Sequence, residues 1–506
     1  MGIDLGTSSV KVLVVDDRGR ILAQASGKYP ILTPYEGFAE QDPGAWWGAT
    51  KEAVRRVLSS ERVDCGEIEA IGLSGQMHGT VVLGKGLNPL RNAIIWADSR
   101  SGRQCDEIRR KLGDERIREI LCNPIMPGFM APSLLWIKEN EPSIFEEAYR
   151  VVLPKDYIRL CLTGDIATDF SDASATLLFD VKRRCWSSEV LSELGIDEEL
   201  LPQVYESVEV VGEVSPEAAR ETELPKDIKV VAGGGDSSVS AVGCGVIKSG
   251  LISVNIGSAG QVFTVIDDIR ADPKLRIHTF CHAVPSKWYL QGAILSAGLT
   301  LDWFIKSLGF EELLSEKGIN AYSKLVEEAA GIPAGSAGLI FLPYLLGERS
   351  PHMDPSARGA FFGLRINHGR GHLVRAVMEG VAFALRDCYE VFKELGITAN
   401  ELLIRGGGGR IPLWRQIIAD VFGCRILAAE VEEAAYGAAL LASVGAGIYK
   451  NLDDAVKKTI SLKVFEEPGP DQETYDRLYR EVYSKLYPAV KELFKTLTGL
   501  DGRPDN

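Results

Sequence analysis

Long hydrophobic runs are missing from this 506-residue chain, and none approaches the ~20 apolar residues a membrane span needs. Positive charge is also short: 56 Lys and Arg stand against 70 Asp and Glu, a formal net charge of −14. That balance excludes the basic footprint of a nucleic-acid surface. The N-terminal MGIDLGTSSVKVLVV lacks the basic and apolar regions of a secretory signal, and Gly6 breaks the myristoylation pattern. Cysteine is sparse and unpatterned: nine residues, no CxxC, as expected of reduced thiols in a cytoplasmic protein. The one metal-like grouping, His278, Cys281 and His282, has no matching second pair and lies in a segment that reads as a strand, so it is assigned to packing with no metal. Two standard phosphate signatures are absent as well. Gly245 and Gly250 have P-loop spacing but are followed by Leu251-Ile252 rather than Lys-Ser/Thr, and no strand runs into G-x-G-x-x-G.

What the chain does have is glycine, 52 residues or roughly 10% against a usual 7%. Hydrophobic content of 45% and charged content of 25% are those of a globular protein long enough for two or more domains. Residues 3–17, IDLGTSSVKVLVVDD, align without a gap on 254–268, VNIGSAGQVFTVIDD. Each reads as strand, Gly-Ser/Thr turn and strand, so two homologous α/β halves are expected. Further along, 44–60 has helical periodicity, 68–75 and 228–236 read as strands ending in glycine, and 401–423 reads as strand, four glycines and helix, with Pro412 in the helix's first turn. Near the C-terminus Tyr475, Tyr479, Tyr483 and Tyr487 recur at helical spacing, the stripe of a helix docked on the core.

Glycine turns gather backbone N–H groups into concavities suited to phosphate. Gly6-Thr7-Ser8-Ser9, Gly257-Ser258-Ala259-Gly260 and Gly406 to Gly409 are three such turns. The first hairpin carries Asp4 where the second carries Asn255, an asymmetry that suits one Mg²⁺ on one side of a nucleotide or a plain strand-end aspartate equally. Lys11 has the reach for a phosphate but by default is solvated. Asp236 follows three glycines at a strand end; its position reads first as an ordinary helix N-cap, second as a general base at a sheet edge. Met77 and His78 lie in a polar turn after strand 68–75. Asp98 and Arg100 would bind hydroxyls or pair with each other.

The stretches GIDLGTSSVKV, GFAEQDP, SGQMHG, AIIWADSR, MPGFMAPSLLW, LPKDYIRL, AGGGDSS, FLPYLLGERSPHMDP, GAFFGL, RAVMEGVAFALRD and GGGGR occur in an order that resembles the FGGY carbohydrate kinases, and within them the xylulokinases, along nearly the whole chain. The resemblance implies an α/β fold of two actin-like (ribonuclease H-like) ATPase domains flanking a cleft, here residues 1–244 and 245–506. It implies Asp236 as catalytic base, overriding the N-cap preference, and Asp4 as the carboxylate that organises Mg²⁺. Sugar contacts carry over to Met77, His78, Asp98, Asp236 and Ser237, and ATP contacts to Gly6, Thr7, Lys11, Gly257, Ser258, Gly406 and Gly407. The reaction it implies is phosphorylation of D-xylulose at O5 by ATP. Another ketose, a polyol or a sugar acid is the alternative, and a non-sugar actin-fold ATPase the more distant one. The implied partners are a sugar and ATP, with a homodimer left open and neither nucleic acid nor membrane expected. Two departures bear on this: Ser237 stands where the family often has Asn, and Gly409-Arg410-Ile411 replaces the usual continuation of the adenosine loop.

Overall fold

A computed structural model describes residues 1–315 and 320–500 of the chain. Two seven-stranded sheets organise it. In the first, β1 (Gly2–Leu5), β2 (Ser9–Val15), β3 (Ile21–Lys28), β4 (Ala70–Gly75), β5 (Val210–Glu213), β6 (Lys229–Val231) and β7 (Gly234–Gly235) run in the order β5-β6-β4-β1-β2-β3, with β7 also on β4. In the second, β8 (Leu251–Ile256), β9 (Gly260–Ile266), β10 (His278–Cys281), β11 (Trp288–Ile294), β12 (Glu401–Arg405), β13 (Arg425–Ala429) and β14 (Leu462–Glu466) run β10-β11-β9-β8-β12-β13-β14. β1 pairs antiparallel with β2 and parallel with β4; β8 does the same with β9 and β12. Both sheets therefore share one plan, and the internal repeat seen in the sequence is a repeat of architecture.

The gapless alignment of the two hairpins nevertheless slips. Gly2 pairs with Leu13, whereas Ser253, its counterpart, pairs with Phe263. Four residues separate Leu5 from its partner Val10, but three separate Ile256 from Gly260. The second turn is one residue shorter, so the match holds through Gly6 and Gly257 and is out of register beyond them. In a strand that shift exchanges the two faces. Lys11, opposite Asp4, corresponds to Gln261, opposite Asn255.

Two helices join the sheets: α1 (Asp236–Gly243) and α2 (Ala434–Gly445). Ala435, Ala438, Ala439 and Ala442 recur at i, i+3, i+4 and i+7, an apolar stripe of minimal height. It lies almost on the backbone of the first sheet. A Cβ at Gly2 would stand 1.9 Å from the Ala435 carbonyl oxygen, and one at Gly72 1.9 Å from that of Ala438. α1 meets α2 in the same way, a Cβ at Gly437 falling 2.0 Å from the Val239 carbonyl oxygen. Part of the glycine excess thus serves close packing rather than turns. A segment from beyond residue 245 completes the core over the first sheet, where Ala435, Tyr436, Leu440 and Leu441 are buried with Leu13, Val231 and Val242.

Three of the four tyrosines are buried on helix Arg370–Glu394, Tyr475 donating to Glu379 at 2.7 Å and Tyr479 to Asp387 at 2.6 Å, while half-buried Tyr487 donates to Asp354 at 2.7 Å. Helix Pro412–Phe422 starts on its proline, with Ile411 as N-cap. Among the described residues no helix is long and apolar enough to cross a membrane.

Candidate active site

β4 sets the geometry. Asp4 on β1 and Gly234 on β7 both lie level with Ser74, one on each side of β4. At about 4.8 Å between neighbouring strands, the Asp4 and Gly234 backbones stand about 10 Å apart. Asp236 follows two residues later as the first residue of α1. The helix cap is Gly235, so the N-cap reading of Asp236 does not hold: its carboxyl is free of that role. Burial pushes Asp236 up to about 7, the negative charge of Asp4 adds to the effect, and the Ser237 amide and hydroxyl oppose it. Asp4 is raised as well, first by burial, with Ser74 and Lys11 pulling down and Glu433 pushing up. Its Oδ1 is shielded from solvent and accepts no hydrogen bond among the described residues.

Strand β7, which leads into Asp236, is gripped from both sides. Ser171 Oγ accepts from the Gly235 amide at 3.0 Å and donates to Asp169 Oδ2 at 2.5 Å; buried Lys155 holds Asp169 Oδ1 at 2.9 Å. On the other face a Cβ at Gly235 would lie 2.8 Å from Met77 Cγ, so glycine lets Met77 rest directly beside the backbone that leads into Asp236. Met77 Sδ accepts from Tyr289 Oη at 3.7 Å. His78 takes a left-handed φ of 73° just after it. Its Nδ1 bonds the Ala175 carbonyl at 2.8 Å, and its ring stacks on Phe129 at 3.8 Å. Burial pushes this imidazole down to about 4, against the Ala175 contact, with the Arg349 charge adding to the depression.

At the first hairpin Gly6 N donates to Ser9 O at 3.1 Å, closing the turn. Thr7 accepts from Trp96 Nε1 at its hydroxyl (2.9 Å) and from Gln41 Nε2 at its carbonyl (2.7 Å). Lys11 is not simply solvated: its Nζ lies 2.9 Å from Glu433 Oε1, at the foot of α2. In the second half, Gly298 N donates to Gly257 O at 2.7 Å and Ala297 N to Ser258 O at 2.8 Å, seating this hairpin on the start of helix Gly298–Ser307. Gly406, with φ of 80°, would place a Cβ 2.5 Å from Asn255 Oδ1, so the 406–409 turn abuts the second hairpin. Its amide donates to Glu432 Oε2 at 3.1 Å, while a Cβ at Gly407 would meet open space.

The structure thus brings Asp4, Lys11 and Glu433 together, Asp236 and Met77 together, and Gly257, Ser258 and Gly406 together. Asp98 goes elsewhere. Its two oxygens accept from Ala39 N at 2.7 Å and from Arg100 at 2.8–3.0 Å, the pairing alternative of the two sequence readings. Arg100 in turn holds Glu40 at 2.7 Å and stacks on Phe38. The H-x-x-C-H residues diverge: His278 bonds Asn123, Cys281 Sγ lies 3.8 Å from Val181 O, and His282 Nδ1 accepts from Val284 N. Glu432, Glu433, Ser171 and Tyr289 gave no signal in the sequence, because each acts through a partner more than 25 residues away.

Among the described residues no group of three or more His, Cys, Asp or Glu forms a ready metal cage. Mg²⁺ needs none: it keeps most of its waters and takes one or two carboxylates beside phosphate oxygens. The unpartnered Asp4 Oδ1 fits that role. A carboxyl near neutral pKa beside the Met77–His78 turn, in a chain with two glycine hairpins, suits transfer of a phosphoryl group to an alcohol.

Comparison with known proteins agrees. Residues 1–243 match the N-terminal domain, and 258–446 the C-terminal domain, of the FGGY family of carbohydrate kinases. The xylulose kinase of Bacillus subtilis is 36% identical over 97% of both chains. A solved structure described as a xyloylose kinase from Brucella ovis superposes with a TM-score of 0.89 at 36% identity, covering 97% of this chain and 99% of that one. A gluconate kinase from Lactobacillus acidophilus superposes at 0.90 with 28% identity, over 98% and 99%. The repeated sheets, the paired hairpins and these matches together establish that the chain belongs to the FGGY family of carbohydrate kinases, enzymes of two actin-like domains that take ATP and a sugar as substrates.

Proposed function

We propose that the enzyme phosphorylates D-xylulose at O5, with Asp236 as the base. The observation that carries this reading is a carboxyl raised to about 7, uncapped, at the start of α1 and beside Met77. A base works best when its pKa is near the operating pH. Asp236 accepts the proton of the O5 hydroxyl as that oxygen bonds to the γ-phosphorus; the bond from phosphorus to the β–γ bridging oxygen breaks, and ADP leaves with the electron pair. Met77, His78 and Ser237 hold the sugar, while Asp98 and Arg100 together brace the Phe38–Glu40 segment. In the first turn, closed by Gly6, the Thr7 amide faces the phosphates, as do the Gly257 and Ser258 amides in the second, and the Gly406-Gly407 turn takes the adenosine. Lys11 moves from Glu433 to a phosphate oxygen when ATP binds. Asp4 would hold Mg²⁺, which supplies neutralisation of the phosphate charge. The domains are read as 1–244 and 245–506, and nine unpaired cysteines support a reducing, cytoplasmic setting.

Gluconate is the second reading, favoured by the Arg349 charge felt at His78. A coupled ADP-release assay over pentuloses, hexuloses, polyols and gluconate decides between them. D-xylulose is expected to show the highest kcat/KM, and Asp236→Asn to lose at least about 10²-fold in kcat with ADP affinity retained. Turnover by Asp236→Asn near that of the wild type overturns the base assignment.

A further inference from the structure

His278 reaches the sugar site from the opposite half of the molecule. In the β10–β11 hairpin it pairs with Gln291, and Phe280 pairs with Tyr289. Strand alternation puts all four side chains on one face. That face looks at the sugar loop, since Tyr289 Oη donates to Met77 Sδ. The rings close a circuit: His78 on Phe129 at 3.8 Å, Phe129 to His278 at 6.0 Å, His278 to Phe280 at 5.4 Å, and Phe280 back to His78 at 5.9 Å.

The tautomers of both histidines follow from their partners. Asn123 Nδ2 donates to the carbonyls of Leu121 (2.8 Å) and Thr279 (2.7 Å), and its Oδ1 accepts from Thr279 N (3.0 Å), which fixes the amide's orientation. The His278 Nδ1 that meets this Oδ1 at 3.2 Å is therefore the protonated nitrogen. His78 Nδ1 meets the Ala175 carbonyl and is protonated for the same reason. Burial keeps both rings neutral, pushing His78 down to about 4 and His278 to about 3. Each Nε2 is left as an acceptor with no partner among the described residues. Beside them Gln291 Oε1 is a shielded acceptor without a donor.

We propose that His278 is a sugar-specificity residue, its Nε2 accepting a hydrogen bond from a substrate hydroxyl opposite the one held by His78, with Gln291 Oε1 as a third acceptor from the same strand pair. This rests on the reading of His78 as a sugar contact. Three neutral acceptors reward a substrate rich in hydroxyl donors, and they meet a carboxylate with lone pairs facing lone pairs. Set against the Arg349 charge felt at both histidines, which attracts an acid, these acceptors weight the choice toward neutral ketoses, and they make the C-terminal half part of the sugar site.

The test uses the full-length enzyme with D-xylulose and D-gluconate. His278→Phe keeps the stacked ring and removes the acceptor. Its KM for D-xylulose should rise about tenfold or more, with kcat and the KM for ATP within about threefold of wild type, and its preference for D-xylulose over D-gluconate should fall. His278→Gln, which restores an acceptor, should recover part of the loss. A D-xylulose KM within twofold of wild type in folded His278→Phe overturns the proposal. If that variant does not fold, Gln291→Met is read by the same criterion. His78→Phe separates the two readings. If it raises the KM and His278→Phe does not, only this inference fails; if neither does, the sugar-site assignment fails with it.

Discussion

Replacing Asp236 with Asn should make the protein more stable, and only above acidic pH. The folded state holds this carboxyl at about 7 against a usual 3.8, chiefly because burial penalises its charged form. Below about pH 4 it is protonated in both folded and unfolded chains and contributes no difference. Between pH 4 and 7 the unfolded chain releases the proton while the native chain keeps it. The native state then binds more protons, so stability falls as pH rises and levels off above pH 7. About 3 pKa units at 1.36 kcal/mol each set a ceiling of about 4 kcal/mol on this loss. Asn carries no such penalty, so the advantage of Asp236→Asn over wild type should open from pH 4 to pH 7 and stay constant beyond. For a chain of this size a few kcal/mol corresponds to a shift of order 5 °C. Melts of both proteins at one scan rate, from pH 4 to 8 without nucleotide and with a chelator, provide the measurement. A gap that does not change with pH, or a wild type that gains on the variant as pH rises, refutes the reasoning. Any local effect of Asn on the helix start is the same at every pH, so only the pH-dependent part reports the charge.

Further outcomes follow from the Asp4 charge and from the packing of the glycines. In an Asp4→Asn background the charge that helps Asp236 keep its proton is gone, so the gap should be complete at a lower pH. The same variant should bind ADP with little dependence on Mg²⁺, read by titration calorimetry with and without the ion. Gly72→Ala sets a methyl 1.9 Å from the Ala438 carbonyl oxygen, where only backbone movement relieves the clash. It should cost several degrees of melting temperature or prevent folding, in contrast to Gly407→Ala, whose Cβ meets open space and should leave the melting temperature within a degree or two.

Local chemistry made much of the molecule legible. Strand Ala70–Gly75, helix Pro43–Leu58 and the sequence from Glu401 through the glycines to helix Pro412–Phe422 were each marked by periodicity and by glycine or proline at their ends. The doubling of the hairpin disclosed two like halves, and Asp236 stood out at a strand end once the family motifs were in view. What escaped was anything settled by length or partner at a distance. The one-residue difference between the two turns was invisible in an alignment of apolar positions, because a pattern of valines and isoleucines tolerates a slip that hydrogen-bond register does not.

The sequence by itself determined the fold class, the two-half plan and the positions of the glycine turns, because turn chemistry and strand periodicity are properties of neighbouring residues. Only the tertiary structure decided what those groups face. It freed Asp236 from capping by giving that place to Gly235, committed Asp98 to Arg100, paired Lys11 with Glu433 and brought His278 on its strand beside Phe129 and the Met77–His78 turn. Those outcomes depend on burial and on charges brought together from distant parts of the chain, as when Asp4 on one edge of β4 helps raise Asp236 on the other.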